Sequence, residues 1–254
     1  MRLGLAGYGQ MGTITRELAL SKGYKIEAII DPHSKYPEVT HRHIDSSLPL
    51  VDVIIDFSDP TRVIGNIEEY AALGLSVVVG TTGWYDHLPY VADIVNKSGI
   101  GFIWAGNFSL GVNIYFHVLK KAAELFNKFE QYDIVVHEYH HNKKSDSPSG
   151  TAVMLGQIII DRVGRKKRMI SEAMMNRKIA QEELHVTSTR CGSIPGKHEV
   201  IFDSDIDTIT VKHEARSRVG FAEGALTAAS WIKDRKGIYC LDDMMESIVR
   251  GDDY

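Results

Sequence analysis

The chain has 254 residues, 44% apolar and 24% charged, with a formal net charge of −4, enough for one large or two small globular domains. The slightly acidic balance excludes overall attraction to nucleic acid or anionic membrane, so any affinity for anions must be local. Cys191 and Cys240, far apart and in no ligand spacing, fit reduced thiols in a cytoplasm, while the chain opens on no leader pattern and holds no apolar run near the about 18 residues of a membrane span.

In chain order, Leu3-Gly4-Leu5-Ala6 predicts a short strand, followed by a glycine turn and a helix through Leu18-Ala19-Leu20. Residues 26–30, 53–57, 76–79 and 101–104 read as apolar, β-branched strands, with helices at 62–73 and 87–96 between them. Continuous apolar strands separated by helices predict a parallel sheet covered on both faces. After Asn113 the pattern changes. A helix at 114–126, a strand at 132–138 and a charged segment lead to a helix from about 149 to 163. Residues 183–202 alternate like antiparallel strands around a bend at 192–196, and 207–213 form another alternating strand. Helices at 221–233 and 241–248 close the chain. The expected fold class is α/β: a Rossmann-type doubly wound sheet plus a central α+β domain with a mixed or antiparallel sheet.

Gly7-Tyr8-Gly9-Gln10-Met11-Gly12 spells G-x-G-x-x-G between a strand and a helix. Gly7 permits the tight turn, Gly9 lets backbone approach a pyrophosphate, and Gly12 allows close helix–strand packing. Asp31, at the end of the second strand, can accept from adenosine ribose hydroxyls. Its charge disfavours a 2′-phosphate, with His33 and Lys35 as possible offsets, so NADH and NADPH both stand as cofactors. Two further turns, Gly80-Thr81-Thr82-Gly83 and Gly106-Asn107-Phe108-Ser109, follow later strands, where ligands of open α/β sheets bind.

The segment at 134–152 is the richest in chemistry. His140, His141, Lys143, Lys144 and Asp146 precede Pro148-Ser149-Gly150-Thr151, a helix start that Ser147 or Ser149 can cap. Imidazoles, ammonium groups and helix-terminal amides together suit a small dicarboxylate held while a proton moves. Lys144 can donate that proton if neighbouring cations lower its pKa. His140 is the other candidate, and sequence does not rank the two. His137-Glu138-Tyr139-His140-His141 also matches the H-E-x-x-H zinc pattern, which needs a helix. Here strand formers precede it, and on a strand residues four apart lie about 13 Å from one another. No metal is therefore expected.

Across nearly its whole length the chain resembles the 4-hydroxy-tetrahydrodipicolinate reductase family, long called dihydrodipicolinate reductase. The resemblance rests on the glycine turn, Gly80-Thr81-Thr82-Gly83, Asn107-Phe108-Ser109-x-Gly111-Val112-Asn113 and the block Glu138-x-His140-His141-x-x-Lys144-x-Asp146-x-Pro148-Ser149-Gly150-Thr151. Arg190-x-Gly192-x-Ile194-x-Gly196-x-His198 and Phe221-Ala222-x-Gly224-Ala225 follow in family order. The sequence departs from the family in its shorter glycine turn, in Gly106 where Ala is frequent, and in Ser147 where Ala usually precedes the proline.

The resemblance implies a dinucleotide-binding domain at 1–108 and 219–254 and a substrate-binding, oligomerising domain at 109–218. It implies NAD(P)H-dependent reduction of 4-hydroxy-tetrahydrodipicolinate with loss of water, by a cytoplasmic homotetramer of the diaminopimelate–lysine route. By position, His140 and Lys144 correspond to proton-exchanging groups, and His141, Gly150 and Thr151 to substrate-carboxylate contacts. The cofactor contacts correspond to 7–12, Asp31, Gly80, Thr81, Thr82, Gly106, Asn107, Phe108 and Ser109. The rival readings are another Rossmann oxidoreductase of amino or oxo acids, and a non-catalytic dinucleotide sensor. Neither needs proton donors clustered beside carboxylate-binding amides.

Overall fold

The structure, a computed structural model, describes residues 1–172 and 176–252. It divides into two compact units, Met1–Leu110 with Arg218–Tyr254, and Gly111–Ser217. Residues 253 and 254, in the expected range of the first domain, lie outside the described residues.

The first unit carries β1 (Arg2–Ala6), α1 (Gln10–Ser21), β2 (Lys25–Ile30), β3 (Val53–Asp56), α2 (Val63–Ala72), β4 (Val77–Val79), α3 (Leu88–Ser98) and β5 (Gly101–Trp104). Its five strands run parallel, as the unbroken Val/Ile/Leu runs demand of strands buried on both faces. Leu3, Leu5, Val53, Ile55, Val78 and Ile103 face one apolar cluster, whereas Ile54, Val77, Val79 and Phe102 face another. Each fully buried branched side chain contributes about 1.5–3 kcal/mol. Strand β1 lies between β2 and β3, so the chain reverses its direction of travel across the sheet there. Ligand crevices of open α/β sheets form beyond the strand ends at such a reversal.

The second unit is entered along α4 (Leu110–Phe126). That helix starts earlier than the sequence predicts: Gly111 and Asn113 are poor helix formers, but burial of Val112 and Asn113 overrides propensity. Next come β6 (Asp133–His140), α5 (Gly150–Arg162), β7 (Arg168–Ile170), β8 (Glu183–Arg190), β9 (Lys197–Asp203) and β10 (Thr208–Glu214). The five strands take the order β10-β9-β6-β8-β7. Strands β8 and β9 do not form the hairpin that their alternation invites. Strand β6 lies between them, parallel to β8 and antiparallel to β9, which makes the sheet mixed. Ile134, Val136, Leu184, Val186, Val200 and Phe202 pack with α4 and α5 residues in one core.

The chain returns to the first unit with α6 (Val219–Ile232), β11 (Gly237–Cys240) and α7 (Leu241–Arg250). Strands β7 and β11 are absent from the sequence reading: three and four residues carry too little periodicity to announce themselves. Strand β11 pairs parallel with β5 and completes a six-stranded sheet. No helix among the described residues is long and apolar enough to cross a membrane.

Candidate active site

The glycine turn is built as the spacing requires. Gly7 has φ +82°, and a Cβ there would lie 2.5 Å from the carbonyl oxygen of Phe57, at the end of β3. A Cβ on Gly12 would lie 2.2 Å from the Gly7 carbonyl oxygen. Around Gly9 there is open space, and Gly9 begins α1 without a capping side chain, so no cap residue covers the first-turn amides. That is a cradle for a pyrophosphate, and the residues present fit a dinucleotide.

Asp31 is more tied down than its spacing foretells. It accepts from the amides of Tyr8 (2.8 Å), His33 (2.8 Å) and Ser34 (2.7 Å). Burial would raise its pKa, but these donors outweigh it and hold the carboxyl below its usual range. A cavity of about 190 Å³ beside it is lined by Gly7, His33, Arg42 and Arg62, among others. Arg42 donates to the carbonyls of Asp31 (2.9 Å) and Ser34 (2.5 Å), which sets a guanidinium where the sequence suggested His33 or Lys35. Lys35 is exposed and not among the residues that line the cavity.

The two later turns offer backbone more than side chains. The Thr81 hydroxyl donates to buried Asp56 (3.3 Å) and to the Ser58 carbonyl (3.2 Å). Gly80 donates to the Asp56 carbonyl (2.8 Å), and Thr82 is exposed. Phe108 is a core side chain, Ser109 is buried, Gly106 is exposed, and Asn107 accepts from the Ser109 amide (2.8 Å). Gln10 accepts from Arg218 (2.6 Å), so a guanidinium stands at the start of α1, a placement no motif signalled.

The second unit holds the titratable cluster. Alternation along β6 sends Glu138 and His140 to the buried face and His137 to the other, where Thr187 and Thr189 hold its ring nitrogens. His141 falls beyond the strand, so the H-E-x-x-H spacing brings no metal pair together. Glu138 is fully buried: one oxygen accepts from His140 Nδ1, the other from Arg190 Nη2 (2.8 Å) and the Ser149 amide (3.3 Å). Burial alone would raise the Glu138 pKa. Hydrogen bonds from Arg190 and His140 outweigh it and leave the carboxyl below its usual range. Burial also pushes His140 down, opposed in part by Glu138. Burial thus favours the neutral imidazole, and its Nδ1 faces the Glu138 carboxylate.

His198 lies edge-on to His140, ring centres 5.1 Å apart, with Nε2 3.3 Å from the Ser149 hydroxyl. Burial, then the neighbouring His140, pushes its pKa down to about 4. Donor atoms of Glu138, His140 and His198 lie within 4.8 Å of one another. Both Glu138 oxygens are already engaged, one of them by the Arg190 guanidinium, whose charge opposes a dication on that carboxylate.

Ser149 caps α5, its hydroxyl accepting from the Ala152 amide (3.3 Å). Gly150 is exposed and Thr151 half-buried in the first turn. Sequence reasoning surrounded Lys144 with cations, but the structure pairs it with Asp146, Nζ to Oδ1 2.8 Å. Lys144, with help from the Gly150 amide, holds the Asp146 carboxyl below its usual range. The cradle thus already grips one carboxylate, the chain's own. The sequence pattern assigns Glu138, Arg190 and His198 no role, because their convergence requires three strands to be placed side by side.

A parallel sheet with a pyrophosphate cradle, and a separate unit with a carboxylate-gripping helix start beside a buried Glu-His pair, define a nicotinamide-dependent oxidoreductase of a small acid. Residues 1–108 match the family model for the dihydrodipicolinate reductase N-terminus, and 111–245 that for its C-terminus. The chain belongs to the dihydrodipicolinate reductase family. A 4-hydroxy-tetrahydrodipicolinate reductase of Christiangramia forsetii is 36% identical over 251 residues, 98% of this chain and 100% of that protein. One of Methanococcoides burtonii is 34% identical over 198 residues, 77% and 73% of the two. The dipicolinate-bound dihydrodipicolinate reductase from Paenisporosarcina sp. TG-14 shares the fold with a TM-score of 0.78, at 20% identity over 94% of this chain and 97% of that one.

Proposed function

We propose that this protein reduces 4-hydroxy-tetrahydrodipicolinate to tetrahydrodipicolinate with NADH or NADPH, in the diaminopimelate route to lysine. Substrate, reduced nicotinamide and one proton give product, oxidised nicotinamide and water. The dinucleotide supplies the hydride when bound. Residues 7–12, Asp31, Gly80, Thr81, Thr82 and the backbone of 106–109 hold it. His141 and the α5 amides of Gly150 and Thr151 take a substrate carboxylate, competing with Asp146 for the same donors. Lys144 provides the proton. His140, with Nδ1–H committed to Glu138, presents Nε2 as acceptor and relays protons.

The observation that carries this reading is the Glu138–His140 pair placed beside the capped start of α5. A coupled assay with freshly generated substrate tests it: NADH or NADPH oxidation that requires the substrate supports the reading, and its absence with both cofactors ends it. We further propose a cytoplasmic homotetramer. Exposed Ile206 and Ile209, beside and on β10, support an assembly surface on that side of the second sheet. Light scattering at micromolar concentration and cell fractionation test both statements.

A further inference from the structure

We propose that Glu138, clamped by Arg190, is a positioning residue for the reduction: it fixes His140 in the tautomer that leaves Nε2 as the proton-exchanging edge. The proposal deepens the proposed reductase reading and rests on it for the role of His140.

Three observations converge. Glu138 is fully buried, yet no carboxylate is kept in such a place unless its oxygens are met. Here one oxygen is spent on Arg190 and the Ser149 amide, and the other on His140 Nδ1 alone. Stability would be served by the Arg190 pair without the imidazole. The second contact has a chemical consequence, because a carboxylate can only accept, so Nδ1 must carry the hydrogen and Nε2 the lone pair. Arg190 adds a further constraint. By holding Glu138 ionised it prevents the carboxyl from capturing the imidazole proton during turnover.

The space at Nε2 is also preserved by the chain. Gly196, at φ +151°, would place a Cβ 3.0 Å from His140 Nε2. A side chain there would cover the edge that the tautomer leaves open. The charged and titratable groups around His140 come from every neighbouring segment: Glu138 on β6, Arg190 on β8, His198 on β9 and Lys144 on the loop before α5. Glu138 is the anion among them, so its removal lowers the proton affinity of His140 whichever cation dominates the rest.

Nitrogen-15 NMR of the wild-type protein, with His140 assigned by its loss in His140→Gln, reads the tautomer directly. Protonated Nδ1 and bare Nε2 at pH 7.5 are expected; hydrogen on Nε2 overturns the proposal. Glu138→Gln should lower kcat at least about 10-fold, the size seen when an orienting partner of a histidine is lost, with cofactor Kd unchanged. The His140 titration should move to lower pH, and Glu138→Asp should restore part of kcat. Should Glu138→Gln leave Arg190 too poorly compensated to fold, Glu138→Gln/Arg190→Gln removes both charges together and is read by kcat and by loss of the fixed His140 tautomer, since the two charge losses offset each other in the titration. A folded variant with wild-type kcat and an unmoved titration overturns the proposal. The NMR readout needs no turnover, so an inactive wild-type protein with the expected tautomer would reject the reductase reading while leaving the geometry of Glu138 standing.

Discussion

Arg190 Nη2 stands 2.8 Å from Glu138 Oε1 and 2.5 Å from the Asp146 carbonyl oxygen, so one guanidinium ties β6 to the loop that carries Lys144. Glu138 has no exposed surface, and Arg190 is four-fifths covered. Removing one partner of such a pair leaves an uncompensated buried charge. Arg190→Ala should therefore destabilise the second unit by about 3–5 kcal/mol. Urea unfolding at pH 7.5 measures it, and a loss below about 1 kcal/mol would mean that water reaches the pair.

Lys144→Ala should reduce turnover at least about 10²-fold, the low end for proton-transfer catalysis. The ion pair with Asp146 sharpens the expectation, since the same substitution frees a carboxylate beside the proposed anion site. KM should rise as well as kcat fall. Wild-type turnover in steady-state assays of this variant would remove Lys144 from the mechanism.

The proposed dinucleotide site puts cofactor choice on two residues of the first unit. Asp31→Ala should weaken NADH more than NADPH, because in the proposed binding mode that carboxylate takes ribose hydroxyls and repels a 2′-phosphate. Arg42→Ala should do the reverse, because its guanidinium lines the cavity beside Asp31. Calorimetric titration of both cofactors against both variants decides the matter. Equal losses in either variant would reject the assignment for that residue.

Arg218 donates to Gln10, the first residue of α1, at 2.6 Å. Its charge adds to the helix N-terminus at the pyrophosphate cradle. Arg218→Ala should weaken NADH and NADPH alike, by about 10-fold for a charge-assisted contact. A change confined to one cofactor would move Arg218 away from the pyrophosphate.

His198 makes stability depend on pH with a definite sign. Its folded pKa of about 4 lies below the usual 6.5, so the unfolded chain binds the proton more readily. The contribution is fully retained above about pH 6.5. It falls as pH drops through that value toward 4, by about 2 kcal/mol at pH 5. Denaturant unfolding at pH 7.5 and pH 5 should show His198→Gln losing less stability on acidification than wild type. Equal losses would show that His198 is not the group responsible.

The first unit was legible because its signals are local. Apolar strands alternating with helices and three glycines at fixed offsets force a doubly wound sheet and an uncapped helix start, whatever happens elsewhere in the chain. A serine cap for α5 was readable before the apolar run, but the choice of Ser149 over Ser147 was not. Short β7 and β11 were not, and β8 and β9 looked like a hairpin because alternation gives a strand's faces without its neighbours.

The amino-acid order alone determined which segments become strands and helices, where backbone can approach a phosphate, and which residue types stand ready for proton and carboxylate chemistry. Those properties depend on side-chain period and backbone freedom within a few residues. Tertiary structure decided which of those groups meet. Insertion of β6 between β8 and β9 brings Arg190 and His198 to Glu138 and His140, and a loop contact gives Lys144 an anion for its neighbour. Charge interactions act through distances in space, and residues about 50 apart in sequence become neighbours only when the sheet has chosen its strand order.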